Sequence, residues 1–188
     1  MGYDPIVLVH ARALLTSGPK GATAYIDADA RDTGRILAEA AETLGFSQPV
    51  AVMLLGVLLF IPGEDDPWGI TAQLMDAVPP GSYLAVSHGA SDIQAQDVAT
   101  ASNRYNERSA VPLCLRTRAE FSRFFDGLEL AVPGIVPINH WQPAPPPDSR
   151  LKEALPAYAA LGRKSATSPG GQLTGRSLLA WLREQSPP

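Results

Sequence analysis

Few side chains of this chain can move a proton near neutral pH: His10, His88 and His140, with Cys114 the single thiol. His88 closes an apolar run and His140 lies near another, so both are candidates for a general base, which must reach the proton it removes. His10 falls in a helical stretch and is expected at the surface. An isolated histidine is more often a core residue with satisfied nitrogens. Asp27, Asp29 and Asp32 follow a short strand-like run. They form either a ligand-facing acidic loop or a solvated one in which Asp32 caps the next helix. Arg116, Arg118, Tyr105 and Trp141 are able to shape a substrate pocket, and each also has an ordinary structural role. The scattered histidines and the lone cysteine lack metal-ligand spacing, so no metal site is expected. Phosphate-binding glycine loops and the Gly-x-Ser-x-Gly nucleophile elbow are absent from the sequence.

The elements that must position these groups alternate. Asp4-Pro5 starts a helix that runs to about Ser17 and stops at Gly18-Pro19. Residues 24–27 form a short strand. Ile36, Leu37, Ala40, Ala41 and Leu44 recur at helical spacing, and Gly45 ends that helix. Residues 50–56 are nearly all apolar, which suits a strand buried on both faces of a parallel sheet. Asp66-Pro67 opens another helix, with Ile70, Leu74 and Val78 on one face. Residues 82–88 form a second buried strand, and 92–107 a mixed helical stretch. Thr117 and Glu120 match a capping box ahead of Phe121, Phe124 and Phe125, and Gly127 closes that helix. Residues 128–132 and 135–138 are expected to form the terminal antiparallel pair of the sheet. An ordered return is expected near 158–164. The domain is therefore placed at 1–164, and 165–188 is a flexible linker with a short helix around Leu178, Leu179, Trp181 and Leu182. Strands alternating with helices give an α/β doubly wound fold.

Composition narrows the function. The 188 residues suffice for one domain with a core. A net charge of −4 argues against non-specific nucleic-acid binding, which needs many cationic contacts. No apolar run approaches the roughly 20 residues of a membrane helix. With one cysteine, no secretory signal and no membrane span, the expected location is the reducing cytoplasm.

Four segments, in order, carry a resemblance: Tyr-Asp-Pro-Ile-Val-Leu-Val-His-Ala-Arg-Ala-Leu-Leu (3–15), Ala-Tyr-Ile-Asp-Ala-Asp-Ala-Arg-Asp (24–32), Val-Ala-Val-Met-Leu-Leu-Gly-Val-Leu-Leu-Phe-Ile-Pro (50–62) and Pro-Pro-Gly-Ser-Tyr-Leu-Ala-Val-Ser-His (79–88). Together they resemble the second half of an actinobacterial family of S-adenosylmethionine-dependent methyltransferases. The resemblance runs from residue 3 to about residue 164. It implies a class I, Rossmann-like α/β sheet with helices on both faces, here lacking the first two strands and the Gly-rich loop. The implied activity is methyl transfer from S-adenosyl-L-methionine to a small-molecule acceptor. The implied cofactor-binding residues are Tyr3 against adenine, Asp29 and Ala30 at the adenine edge, and Gly56 and Val57 along the methionine end. Two positions depart from the family: Gly2 stands where an acidic residue holds the ribose, and Leu59 where histidine is common. These departures keep a second reading open, a non-catalytic remnant or interaction module. An upstream start, gene decay and a partner chain supplying the missing strands are three explanations for the short sheet. The open apolar edge of the 50–56 strand is expected to drive homodimerisation or aggregation.

Overall fold

The computed structural model describes residues 17–18, 21–141 and 153–166. Local signals fix the helices. In α1 (Thr33–Ala41) the Asp32 carboxylate accepts from the Arg35 N–H at 3.1 Å, and Leu37 is buried. In α2 (Pro67–Asp76) Asp66 accepts from the Gly69 N–H at 3.0 Å, ahead of proline at the first helical position. A Cβ on residue 69 would meet that carboxylate in its present rotamer, so a larger residue there would make the Asp66 side chain turn. Thr33 and Gln73 hydrogen-bond side chain to side chain, tying α1 to α2. Helix α3 spans Ala95–Asn106, and α4 spans Arg118–Ser122 behind a complete Thr117–Glu120 capping box.

Strands β1 (Ala51–Leu55) and β2 (Tyr83–Gly89) are parallel, with α2 as their crossover. Strand β5 (Ala157–Arg163) lies antiparallel beside β2 along its full length. On its other side β5 pairs with both β3 (Glu129–Leu130) and β4 (Val136–Pro137). The result is a mixed sheet in the order β1-β2-β5-β3. Lys164, next after β5, donates to the carbonyls of Met75 and Val78 at 2.7 and 3.0 Å, satisfying the open end of α2.

Leu84, Val86 and His88 project from one face of β2 into the core. Helices α2 and α4 meet over that face. Trp68 stacks on Phe124, and the Phe121 and Phe124 rings approach the His88 ring. Phe125 and Tyr158 pack against Phe121.

Three expectations need correction. Residues 24–27 are not a strand, because among the described residues no backbone pairs with them and a strand exists only through its ladder. Segments 128–132 and 135–138 do not pair with each other. Interrupted by Pro133 and Pro137, which offer no N–H, each contributes two residues to the longer β5 instead. Strand β1 is not buried on both faces. It ends the strand order among the described residues, and Met53 and Leu55 are 62% and 54% exposed on the side away from the core. The expected first helix up to residue 16, with Tyr3, and the terminal helix near Leu178 lie outside the described residues.

Candidate functional site

Open α/β sheets bind ligands beyond the carboxyl ends of their parallel strands. At the end of β1 the Gly56 N–H donates to the Ser87 carbonyl at 3.1 Å, extending the ladder by one bond. Gly56 takes φ +65°, a left-handed conformation that turns the chain into a short 3-10 turn, Leu58–Phe60. Val57 precedes that turn, and its carbonyl accepts from Phe60. The next residues, 60–62, form the floor of a cleft of about 240 Å³. One wall carries Asp29, Ala30 and Arg31, and the other is segment 110–112. The fold thus brings Asp29 and Ala30 into one cleft, with Gly56 and Val57 a few residues before its floor.

The Asp29 wall is held by charge. The Arg31 guanidinium donates to both Asp29 oxygens, at 3.0 and 2.7 Å, and its backbone N–H donates to the first of them at 2.9 Å. A further Arg31 nitrogen reaches Asp65 at 2.7 Å. The Arg31 hydrogen bonds push the Asp29 carboxyl down to about 2. It is an ionised acceptor at neutral pH. Asp32 is the helix cap, as the residues alone allowed.

His88 is in a different situation. It is 2% exposed, and its Nε2 lies 2.6 Å from an Arg116 nitrogen, while Nδ1 lies 2.8 Å from the Gly89 carbonyl. Arginine only donates, so Nε2 accepts and Nδ1 carries the proton. Both nitrogens are engaged, and burial pushes the imidazole down to about 4. His88 is therefore a neutral structural residue and is not a free base. Arg116 is also buried. It donates to the carbonyls of Leu58 at 3.0 Å, Ile61 at 2.7 Å and Cys114 at 3.3 Å. Its guanidinium lies 5.3 Å from the Trp68 ring centre and 5.5 Å from that of Phe124. The side chain thereby clamps the turn after β1 to the end of β2.

The remaining pocket candidates stand apart. The Arg118 N–H donates to Asp92 at 2.8 Å, and Asp92 also accepts from the Tyr158 hydroxyl at 2.9 Å. Burial, helped by that bond, raises Tyr158 to about 12. Tyr105, Trp141 and the exposed His140 do not line the 240 Å³ cleft. Segment 110–112 went unnoticed in the sequence because its Ala-Val-Pro wording has no periodicity. Asp65 was hidden in a helix-start signature.

A model of the S-adenosyl methyltransferase family matches residues 1–165. The chain belongs to this family. A crystal structure of a DUF574 family protein from Streptomyces avermitilis is similar to it, with 40% identity and a TM-score of 0.76. That match covers 86% of this chain and 62% of the other. A proposed methyltransferase from Thermobifida fusca shares 32% identity, with a TM-score of 0.73 over 87% of this chain and 61% of its own. The chain thus spans about three fifths of the length of these two relatives. An S-adenosylmethionine-dependent methyltransferase from Anabaena variabilis, at 11% identity and TM-score 0.51 over 84% of this chain and 63% of its own, shares the fold alone. No curated protein matches. Among the described residues no helix is long and apolar enough to cross a membrane.

Proposed function

We propose that the chain takes part in methyl transfer from S-adenosyl-L-methionine to a small-molecule acceptor. The supporting observation is the shared cleft of Asp29 and Ala30 beside the turn that leaves β1. Its chemistry suits an adenine edge: Asp29 is an ionised acceptor for an amino group, and an apolar floor of Phe60 and Ile61 suits a flat ring. At about 240 Å³ it lies below the ~300–1,000 Å³ of sites that enclose a whole drug-sized ligand. It therefore fits the nucleoside end, with Gly56 and Val57 toward the methionine end and Tyr3 in the role the resemblance gives it. When bound, the cofactor supplies an electrophilic methyl carbon on a positive sulfur. The protein's part is to orient and to exclude water. In this reading the sheet is the family's sheet without its first two strands, which would continue beyond β1. The same open edge favours pairing of two copies through β1.

A second reading, a non-catalytic interaction module, has one observation in its favour: Arg31 already engages both Asp29 oxygens. Calorimetric titration with S-adenosylhomocysteine separates the two. The methyltransferase reading expects binding that Asp29→Ala weakens about tenfold, the worth of one charge-assisted hydrogen bond. Absence of binding selects the second reading.

A further inference from the structure

A second cleft, of about 320 Å³, opens on the far side of the segment that walls the first. Residues 110–112 face the Asp29 cleft, while Leu113, Cys114 and Leu115 face this one. The Cys114 N–H donates to the Leu59 carbonyl at 2.8 Å, so the shared segment rests directly on the turn that follows Gly56. Ser91, two residues past the end of β2, forms part of the rim. Both clefts therefore border the carboxyl ends of neighbouring parallel strands.

Helix α3 supplies the roof. It is 12 residues long and buries none of them, so core packing does not explain its position. Asn106 anchors it, donating to the Leu113 carbonyl at 3.2 Å and accepting from the Leu113 N–H at 2.7 Å. Val98, Ser102 and Asn106 recur on one stripe facing the cleft, whereas the charged Asp97 and Arg104 are exposed and off the lining. Ser91 and Asn103 make no side-chain hydrogen bond among the described residues, and Ser102 spends its hydroxyl proton on the Ala99 carbonyl while keeping lone pairs to accept. The lining holds two hydroxyls, two amides, apolar groups and one thiol, and no charge-bearing side chain.

We infer that this cleft holds the methyl acceptor, and that the acceptor is a small, uncharged molecule carrying hydrogen-bonding groups. The inference rests on the methyltransferase reading for the word acceptor. The selection against charge rests only on the lining, because a charge moved there from water finds no counter-charge. The volume, near the lower end for ligand sites, limits the occupant to one about the size of a substituted aromatic ring.

Cys114 is the chain's only cysteine, so its alkylation by iodoacetamide reports on this cleft. Phenol, benzoate and benzylamine serve as a neutral, an anionic and a cationic probe of one shape. The expected result is that phenol at saturation slows Cys114 labelling about tenfold while the charged probes leave it within about twofold. Ser102→Trp, which fills the cleft, should slow labelling with no probe added, and Ala99→Leu should do so more weakly if the tryptophan disturbs folding. Equal slowing by all three probes, or none by phenol, overturns the assignment. S-adenosylhomocysteine titration of the same sample keeps the two readings apart. Its binding without phenol protection sinks the cleft alone, and phenol protection without its binding sinks the acceptor role.

Discussion

The His88–Arg116 cluster and the Asp29–Arg31–Asp65 rim lie on either side of one turn, and they use charge in opposite ways. In the cluster a cation is buried with no carboxylate salt bridge among the described residues and is satisfied by three carbonyls, one imidazole and two aromatic faces. On the rim an arginine sits between two carboxylates in partly exposed surroundings, with Arg31 itself about half exposed. His88, which by type and place looks like a general base, is a residue the fold has consumed. The acidic loop that looks like a solvated surface is the part that borders open space.

Replacing Arg116 tests this contrast most severely. Arg116→Ala orphans several buried acceptors at about 1–3 kcal/mol each and should cost about 4 kcal/mol in urea denaturation, with a melting point roughly 10 °C lower. Arg116→Met keeps the stem and removes the buried charge, and should cost about half as much. Equal losses would mean that the guanidinium's bonds carry nothing.

The pH dependence sharpens the same point. His88 has its pKa lowered by burial from 6.5 to about 4. Between those values the unfolded chain binds a proton that the folded one does not. Stability is therefore full above about pH 6.5 and falls as pH drops toward 4, by on the order of 3 kcal/mol at most. His88→Gln, which still offers Arg116 an acceptor, should flatten that window in urea midpoints measured from pH 7 to 4.5. The rim responds lower: Asp29, depressed from 3.8 to about 2, gives up its contribution only as pH falls through that range. The tenfold loss of S-adenosylhomocysteine affinity in Asp29→Ala comes next in size, and it should lower the melting point only by the modest amount a partly exposed ion pair contributes. Met53→Lys on the open side of β1 should have the smallest effect on folding, while lowering the weight-average mass in light scattering if two copies pair there.

What the sequence disclosed was local. The caps at Asp32, Asp66-Pro67 and Thr117–Glu120 each lie within four residues of the N–H they serve, and all three are found. The apolar runs around Val52 and Leu84 are strands for a similar reason, since a run of such residues has little alternative. The pairing of β5 between β2 and β3 was not legible, because Ala157 meets Gly89 across some seventy residues of chain. Arg116 was equally opaque: arginine is seldom buried, and two of its three carbonyl partners lie 58 and 55 positions upstream. For the site, Asp29 and Ala30 came from the family resemblance, while the opposite wall at 110–112 could come only from tertiary packing.

The place of β5 has a consequence for biosynthesis. The strand made last among the five is inserted in the middle of the sheet, and Lys164 just beyond it closes the end of α2. A nascent chain must therefore hold the β2 edge unpaired for the roughly 4–15 s a ribosome takes to reach the end of β5 at about 5–20 residues per second. Throughout that interval the β2 edge is open to pairing with other chains, and ribosome-bound chaperones have reason to attend to it.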